Sequence, residues 1–214
     1  MKHFVFGKNW SKHSAFFILD EIQKVINENS KCNIIVTGGS SAKRVYLSLG
    51  KFENFQKLKN VFFYLSDERC VSLTSKFCNY KMIKKSLLKN NKNKFYKINS
   101  NLLLNGNYEK LLKKKINILL LSVGSDGHIA SIFENSSMLK NNNNALARVK
   151  CAKKPSWRIT ITPRIISQVD KIIVLAPGKK KFFIFKMIKE KKKNFHLLPA
   201  ALLRKGTWLL DQNL

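Results

Sequence analysis

An acid and a histidine lie two residues apart in the stretch "SVGSDGHIASIF" (122–133), where Asp126 and His128 flank Gly127 after the apolar run "INILLL". A carboxylate at this spacing can orient the imidazole and hold its tautomer, so that one ring nitrogen stays free to act as a base. The competing interpretation is a buried histidine that only fills space in the core. Of the two, we favour a general base.

Two other chemistries need residues that the chain lacks near this histidine. A zinc site needs further ligands at short spacing, but His3, His13 and His196 lie far away in sequence and the cysteines do not cluster nearby. A serine hydrolase of the nucleophile-elbow type needs a G-x-S-x-G motif, which is missing. We therefore expect no metal site.

Three further loops have features of anion-binding sites. "TGGSS" places Gly38, Gly39 and Ser40 at a predicted helix start, where backbone N–H groups suit a phosphate, although the motif is neither a dinucleotide fingerprint nor a P-loop. "SDER" places Arg69 beside two acids, which fits either an anion-binding fork or a surface ion pair. "APGKKK" places lysines at a helix N-terminus, where an anionic ligand would offset their unfavourable interaction with the helix dipole.

The elements that must position these loops alternate between strands and helices. "SAFFILDEIQKVINE" (14–28) has helical apolar spacing with a serine as candidate cap. Strand, loop and helix patterns then follow in "CNIIVTGGSSAKRVYLSL", in "VFFYLSDER" with "NYKMIKKSLL", in "INILLLSVGSDGHIASIF" and in "VDKIIVLAPGKKKFFIFKMI", and "GTWLLD" is a short final strand. The asparagine-rich segment 136–157 is expected to be a flexible excursion.

This alternation predicts an α/β fold with an open, mostly parallel, Rossmann-like sheet and helices on both faces. In such sheets, ligands bind at the carboxyl ends of the strands. All the loops described above follow predicted strands. We therefore expect them to meet at one edge of the sheet.

Charge sets this chain apart, because 41 Lys and Arg against 12 Asp and Glu give a formal net charge of +29. A basic surface suits nucleic acid, an anionic membrane or a phosphorylated substrate. The lysines are spread along the chain, however, which favours compositional drift, and we expect no nucleic-acid partner and no membrane partner. Arg158 and Arg164 stand out as two of few arginines, and a planar fork that binds phosphate would explain them.

Other features of the composition suit a cytoplasmic protein. The four cysteines form no C-x-x-C pair, which favours reduced, packed thiols. The N-terminus lacks the continuous apolar stretch of a signal peptide, and no run reaches the about 18 apolar residues of a spanning helix.

Taken in order, "GGSSAKRVY", "SDERCV" with "CNY" downstream, "GSDGHIASIF", "RITITP", "APGKKK" and "LPAALLRKGTWLLD" resemble the 6-phosphogluconolactonase family. That family belongs with the glucosamine-6-phosphate deaminases to a larger group of sugar-phosphate enzymes. The resemblance runs from about Asn33 to Asp211, and "DGHIASIF" is its most specific part. It implies one monomeric lactonase domain over residues 1–214 without a cofactor. The implied reaction is hydrolysis of 6-phosphoglucono-1,5-lactone to 6-phosphogluconate in the oxidative branch of the pentose phosphate pathway.

The resemblance also implies roles for the matching residues. His128 would deprotonate the water that attacks the lactone carbonyl, Asp126 would orient His128, and Arg69 would hold the phosphate or the charge that develops on the carbonyl oxygen. The implied substrate and phosphate ligands are Gly38, Gly39, Ser40, Arg158 and Lys181, with Arg164, Lys179 and Lys180 as further candidates for the phosphate.

Three residues depart from the family pattern, namely Ala42 where proline is usual, Asn117 where an acid is common and Ser122 where glycine is usual. Ala42 is expected to make its turn less rigid. The departures bear on rate and stability more than on reaction type.

Two alternatives stay open. A deaminase or isomerase of the same group carries an acid soon after "DGH", whereas "IASIF" follows here and Glu134 lies further along the chain. A basic, non-enzymatic nucleic-acid binder would need a contiguous positive face and binding that depends steeply on salt.

Overall fold

The chain folds around two β-sheets, and the computed structural model describes residues 1–134, 136, 139 and 144–212. The described strands are β1 (Lys2–Val5), β2 (Cys32–Val36), β3 (Val61–Leu65), β4 (Asp67–Arg69), β5 (Lys94–Tyr96), β6 (Ile118–Ser122), β7 (Leu146–Lys150), β8 (Trp157–Ile161), β9 (Lys171–Ala176) and β10 (Thr207–Leu210). The helices are α1 (Trp10–Asn29), α2 (Ser40–Leu49), α3 (Glu53–Lys57), α4 (Asn79–Ser86), α5 (Gly106–Leu112), α6 (Pro163–Ser167) and α7 (Lys179–Lys189).

The larger sheet has seven strands in the order β1-β10-β9-β6-β2-β3-β5, and every neighbouring pair is parallel. Strand β2 is buried along its whole length, as is β6 up to its last residue. Continuous apolar runs of this kind are typical of strands that are covered on both faces. The predicted α/β fold with a mostly parallel sheet is confirmed.

Two groups of helices cover the two faces of this sheet. Along the chain, β1, β2, β3 and β5 advance toward one edge, and β6, β9 and β10 then return toward the other. Because such crossovers are right-handed, the reversal places their helices on opposite faces. Accordingly, α1 packs on α2 and α2 on α4, whereas α6 and α7 both contact the 3₁₀ turn Pro199–Leu203. None of the described helices is long and apolar enough to cross a membrane.

A smaller antiparallel sheet, β4-β8-β7, stands beside the larger one. Strand β4 begins two residues after β3 ends, because the chain leaves the parallel sheet at Ser66. The β4–β8 ladder pairs Asp67 with Thr160 and Arg69 with Arg158. Apolar alternation in "SWRITITPR" is consistent with β8, but the sequence did not lead us to predict a second sheet.

The predicted strand, loop and helix units over β2–α2, β9–α7 and the final β10 are confirmed. The opening helix is longer than predicted and starts at Trp10, whose buried indole donates to the Leu209 carbonyl at 2.9 Å. The prediction of a serine cap is wrong, because Ser14 is buried inside that helix.

The predicted helix start after "DGH" is also wrong. Ile129 instead forms antiparallel bridges with Val123 and Ile132, and all three side chains are buried. These three buried residues are all β-branched, which favours extended backbone and explains the short bridges in place of a helix.

The asparagine-rich segment 136–157 was expected to be a flexible excursion. It contains the strand β7 and the first residue of β8, so part of it is regular structure. Its residues 137, 138 and 140–143 lie outside the described residues.

Asn117 ties together the amino ends of three strands. Its side-chain Oδ1 accepts the backbone N–H of Asn33 at 2.8 Å, and its own N–H donates to the Asn33 carbonyl at 2.9 Å. Its carbonyl accepts from Lys171 N at 3.1 Å. The amide therefore performs a structural task where an acid is usual.

We expect Asn117→Ala to lower the free energy of unfolding by about 1–3 kcal/mol, because the buried Asn33 N–H would lose its acceptor. Asn117→Asp keeps an acceptor oxygen and is expected to lose less. Urea denaturation of both variants measures the difference, and an alanine variant as stable as the parent chain would contradict the role given to this amide.

Candidate active site

A cavity of about 220 Å³ lies at the carboxyl ends of β2 and β6. These strands are neighbours, but α2 follows β2 on one face and the chain leaves β6 toward the other side of the sheet. This is the point at which the strand order reverses, where ligands bind in open α/β sheets. Thr37 to Ser40 and Ser122 to Gly124 form its floor.

The histidine of "SDGH" lines this cavity and pairs with the aspartate two residues before it. His128 Nδ1 is hydrogen-bonded to Asp126 Oδ1, and His128 N approaches the same oxygen at 3.4 Å. Because an ionised carboxylate only accepts, Nδ1 carries the proton and Nε2 holds the free lone pair. The imidazole stacks on Phe133 with ring centroids 4.9 Å apart. The ring is thereby fixed in one tautomer.

The titration of this pair favours a neutral imidazole beside a charged carboxylate. Burial lowers the pKa of His128, and the hydrogen bond to Asp126 offsets only part of that effect. Burial alone would raise the pKa of Asp126, but hydrogen bonds from Lys153 and His128 outweigh it and hold that pKa well below its usual value. The imidazole is therefore a free base at neutral pH.

Gly124 makes room for the pair. A Cβ on Gly124 would lie 2.1 Å from His128 Nδ1 and 2.5 Å from Asp126 Oδ1. Both distances are far below van der Waals contact. The glycine therefore lets the imidazole and the carboxylate lie directly against the backbone of the loop.

Lys181, in the first turn of α7, places its ammonium between two hydroxyls at the floor. Its Nζ donates to Ser41 Oγ at 2.7 Å and to Ser122 Oγ at 3.1 Å, which leaves one N–H for a ligand. Burial lowers its pKa to about 8, although Asp211 acts in the opposite direction. Ser122, which departs from the usual glycine, thus helps to hold the lysine.

Arg69 and Arg158 reach the same cavity from the smaller sheet. They are directly opposite each other in the antiparallel β4–β8 ladder, so their side chains leave the same face. Arg69 Nη1 donates to the Phe77 carbonyl at 2.7 Å, while its buried Nε has no hydrogen-bond partner among the described residues. Two like charges at facing positions are destabilising, and an anion between them would remove the penalty.

The acids of "SDER" are buried, so the interpretation of a surface ion pair is wrong. Glu68 accepts the backbone N–H groups of Asn79 and Tyr80 at 2.8 Å each and thereby caps α4. Asp67 lines the cavity, and its two oxygens accept from Ser66 Oγ at 2.9 Å and Ser131 Oγ at 2.7 Å.

Helix α4 packs closely against Gly38 of the loop that follows β2. A Cβ on Gly38 would lie 2.0 Å from Asn79 Oδ1, and the Asn79 amide donates to the Asp67 carbonyl at 3.0 Å. Gly38 is therefore required for this close packing. Asp67 and Asn79 are site residues that sequence reasoning missed, although both lie in motifs that it singled out.

The structure brings most predicted site residues to the cavity wall: Gly38, Gly39, Ser40, Arg69, His128, Arg158 and Lys181. Asp126 does not line the cavity and contacts His128 instead. Of the additional phosphate candidates, Arg164, Lys179 and Lys180 are exposed and do not line it.

Ala42 lies buried inside α2 and not in a turn, so the expected loosening of a turn is wrong. Within the part of the chain that the structure describes, no three His, Cys, Asp or Glu side chains come together as metal ligands.

Comparison with known proteins assigns the chain to a family. Residues 8–210 match the family model described as glucosamine-6-phosphate isomerases/6-phosphogluconolactonase. A probable 6-phosphogluconolactonase of Dictyostelium discoideum is 31% identical over 90% of this chain and 84% of its own length. The 6-phosphogluconolactonase of Borreliella burgdorferi is 26% identical over 86% of this chain and 84% of its own length.

Solved structures agree with this assignment. The 6-phosphogluconolactonase of Trypanosoma brucei superposes with a TM-score of 0.83 at 25% identity, covering 98% of this chain and 95% of that one. The Thermotoga maritima 6-phosphogluconolactonase gives a TM-score of 0.84 at 24% identity over 98% of both chains and shows the same fold. The chain belongs to the family of glucosamine-6-phosphate isomerases and 6-phosphogluconolactonases.

Proposed function

We propose that this chain is a 6-phosphogluconolactonase that hydrolyses 6-phosphoglucono-1,5-lactone through water activated by His128. The observation that carries the proposal is the Asp126–His128 pair beside three cations, Arg69, Arg158 and Lys181, around one cavity. The names of the relatives support the same substrate.

Three cations around one cavity suit a small anionic substrate. Arg158 and Lys181 bind the phosphate, and Gly39 and Ser40, at the N-terminus of α2, line the same cavity. This convergence favours a phosphorylated small molecule over the extended positive face that a nucleic-acid binder needs.

The reaction needs only an activated water because a lactone is a reactive ester. His128 Nε2 takes a proton from the water as its oxygen attacks the carbonyl carbon, and Asp126 stabilises the imidazolium that forms. The carbonyl oxygen gains negative charge, and Arg69, which lines the cavity, is the cation that we assign to it. Collapse of the tetrahedral intermediate breaks the ring C–O bond, and the imidazolium returns the proton to the leaving oxygen.

A deaminase or isomerase acting on an amino-sugar phosphate is the second candidate, and the buried Asp67 carboxylate in the cavity wall is the observation that favours it. Against it, Asp67 already accepts two hydroxyl hydrogen bonds, and Glu134 is exposed outside the wall. If the purified chain releases ammonia from glucosamine 6-phosphate, the deaminase proposal replaces the lactonase proposal.

His128→Ala is expected to lower kcat for lactone hydrolysis by about 10²–10⁴-fold, because that is the usual contribution of a general base. The rate is measured with subtraction of spontaneous hydrolysis, and thermal unfolding checks that the variant is folded. His196→Ala, at an exposed position outside the cavity wall, is the matched control and should keep the parental rate. Undiminished hydrolysis by folded His128→Ala would refute the mechanism.

Gly124→Ala is expected to reduce kcat by about 10²-fold with little change in KM, because the new methyl group displaces the imidazole. Gly106→Ala is the control, since a Cβ at Gly106 meets no atom within 4 Å. Steady-state kinetics of the two variants separate a local displacement from a general effect of removing a glycine, and equal rates would show that the loop tolerates the methyl group.

Affinity for 6-phosphogluconate is expected to weaken as pH rises through about 8, because the free Lys181 then loses the charge that binds phosphate. Above that pH the loss approaches about tenfold per pH unit. In Lys181→Arg the guanidinium stays charged, so the alkaline weakening should disappear, whereas Lys180→Arg should keep it. Calorimetric titration between pH 6.5 and 9.5 provides the test, and a pH-independent affinity in the parent chain would argue against the assigned phosphate ligand.

A further inference from the structure

A lysine from outside the cavity wall holds the carboxylate of the base pair. Lys153 Nζ donates to Asp126 Oδ2 at 2.7 Å, while Asp126 Oδ1 faces His128 Nδ1. Each oxygen of the carboxylate therefore has its own partner, and the group cannot rotate without breaking one of the two contacts. Neither composition nor motif pointed to this lysine among the many in the chain.

The turn that carries Lys153 also touches an arginine of the cavity. Residues 151–156 connect β7 to β8, and the Cys151 N–H donates to the Ser156 carbonyl at 2.9 Å across the turn. The carbonyl of Lys153 lies 3.5 Å from Arg158 Nη2, and the carbonyl of Pro155 lies 3.4 Å from Arg158 Nε. One turn thus contacts both the base pair and a cation that we assign to the phosphate.

The charges that face His128 come from several elements. Asp126 on its own loop and Asp67 on β4 favour the imidazolium, while Lys153 on the β7–β8 turn disfavours it.

Three further cations, Arg69, Arg158 and Lys181, line the same cavity as His128. The stacked Phe133 ring has the Arg158 guanidinium 5.7 Å from its centroid.

We propose that Lys153 is a positioning residue of this site, whose ammonium holds Asp126 so that the remaining carboxylate oxygen fixes the His128 ring and leaves Nε2 for the attacking water. Its effect on rate rests on the proposed lactonase function. Its effect on the His128 ring does not, because the contacts are present without a substrate. The lysine side chain is 55% exposed, so its removal leaves no cavity in the core.

The test is a set of three variants of the full chain, Lys153→Met, Lys153→Arg and Lys154→Met. Lys154 is the adjacent residue and is also exposed, so Lys154→Met removes the same charge from the same turn. NMR titration follows the imidazole signals, and the His128 signal is assigned by its loss in His128→Gln. Kinetics of lactone hydrolysis are measured in parallel.

Loss of Lys153 is expected to shift the His128 titration to higher pH, because a repelling charge is removed. We expect kcat to fall about two- to fivefold with a smaller change in KM, the size that an exposed ion pair can produce. Lys153→Arg should restore both properties, and Lys154→Met should resemble the parent chain.

Unchanged titration and kcat in Lys153→Met, or an equal shift in Lys154→Met, would overturn the proposal. Absence of lactone hydrolysis in the parent chain would instead refute the proposed function, and the NMR titration would then decide the role of Lys153 by itself.

Discussion

The pairing of β2 with β6 is the interaction on which the candidate site depends. Ile34 pairs with Ile118 and Val36 with Leu120, so the two strands end side by side. The glycine loop after β2 and the loop that carries the histidine after β6 therefore meet. A slip of one residue would turn every side chain of β6 to the other face. The reciprocal contacts between Asn33 and Asn117 hold the register at the opposite end.

The convergence of positive charge on the cavity is the second constraint. Arg69 and Arg158 face each other across a ladder, and Lys181, whose pKa is lowered by burial, lines the same cavity. Burial disfavours the charged form of Lys181, and an anion bound in this cavity would favour that form. Under the proposed function, these cations hold an anionic group of the substrate near the neutral imidazole of His128.

Much of the fold could be predicted from the sequence because its signals are local. Buried apolar runs such as "INILLL", followed by glycine and then helical spacing, identify strand, loop and helix units. The rule that ligands bind at strand carboxyl ends then places Gly38, Arg69 and His128 at one edge. The smaller sheet could not be predicted in this way, since β4 is only three residues long and pairs with β8, which lies far along the chain.

The finer chemistry of the site depends on contacts between residues far apart in sequence. In the sequence, Asp67 resembled one half of a surface ion pair. Its burial could not be predicted, because it is set by residues far along the chain: Ser131 donates to Asp67, and Thr160 pairs with it in the β4–β8 ladder. Lys153 is indistinguishable by sequence from its lysine neighbours, and only the path of the β7–β8 turn brings it to Asp126. In the sequence, Ser122 was only a departure from the family pattern. In the structure, its hydroxyl accepts a hydrogen bond from Lys181.

The most direct test of the proposed site is a crystal structure with 6-phosphogluconate bound. We expect the phosphate to contact Arg158 and Lys181, the carboxylate carbon to lie near His128 Nε2, and Arg69 to donate to a carboxylate oxygen. Binding outside this cavity, or with the carboxylate on Lys181 and the phosphate beside His128, would contradict this proposal.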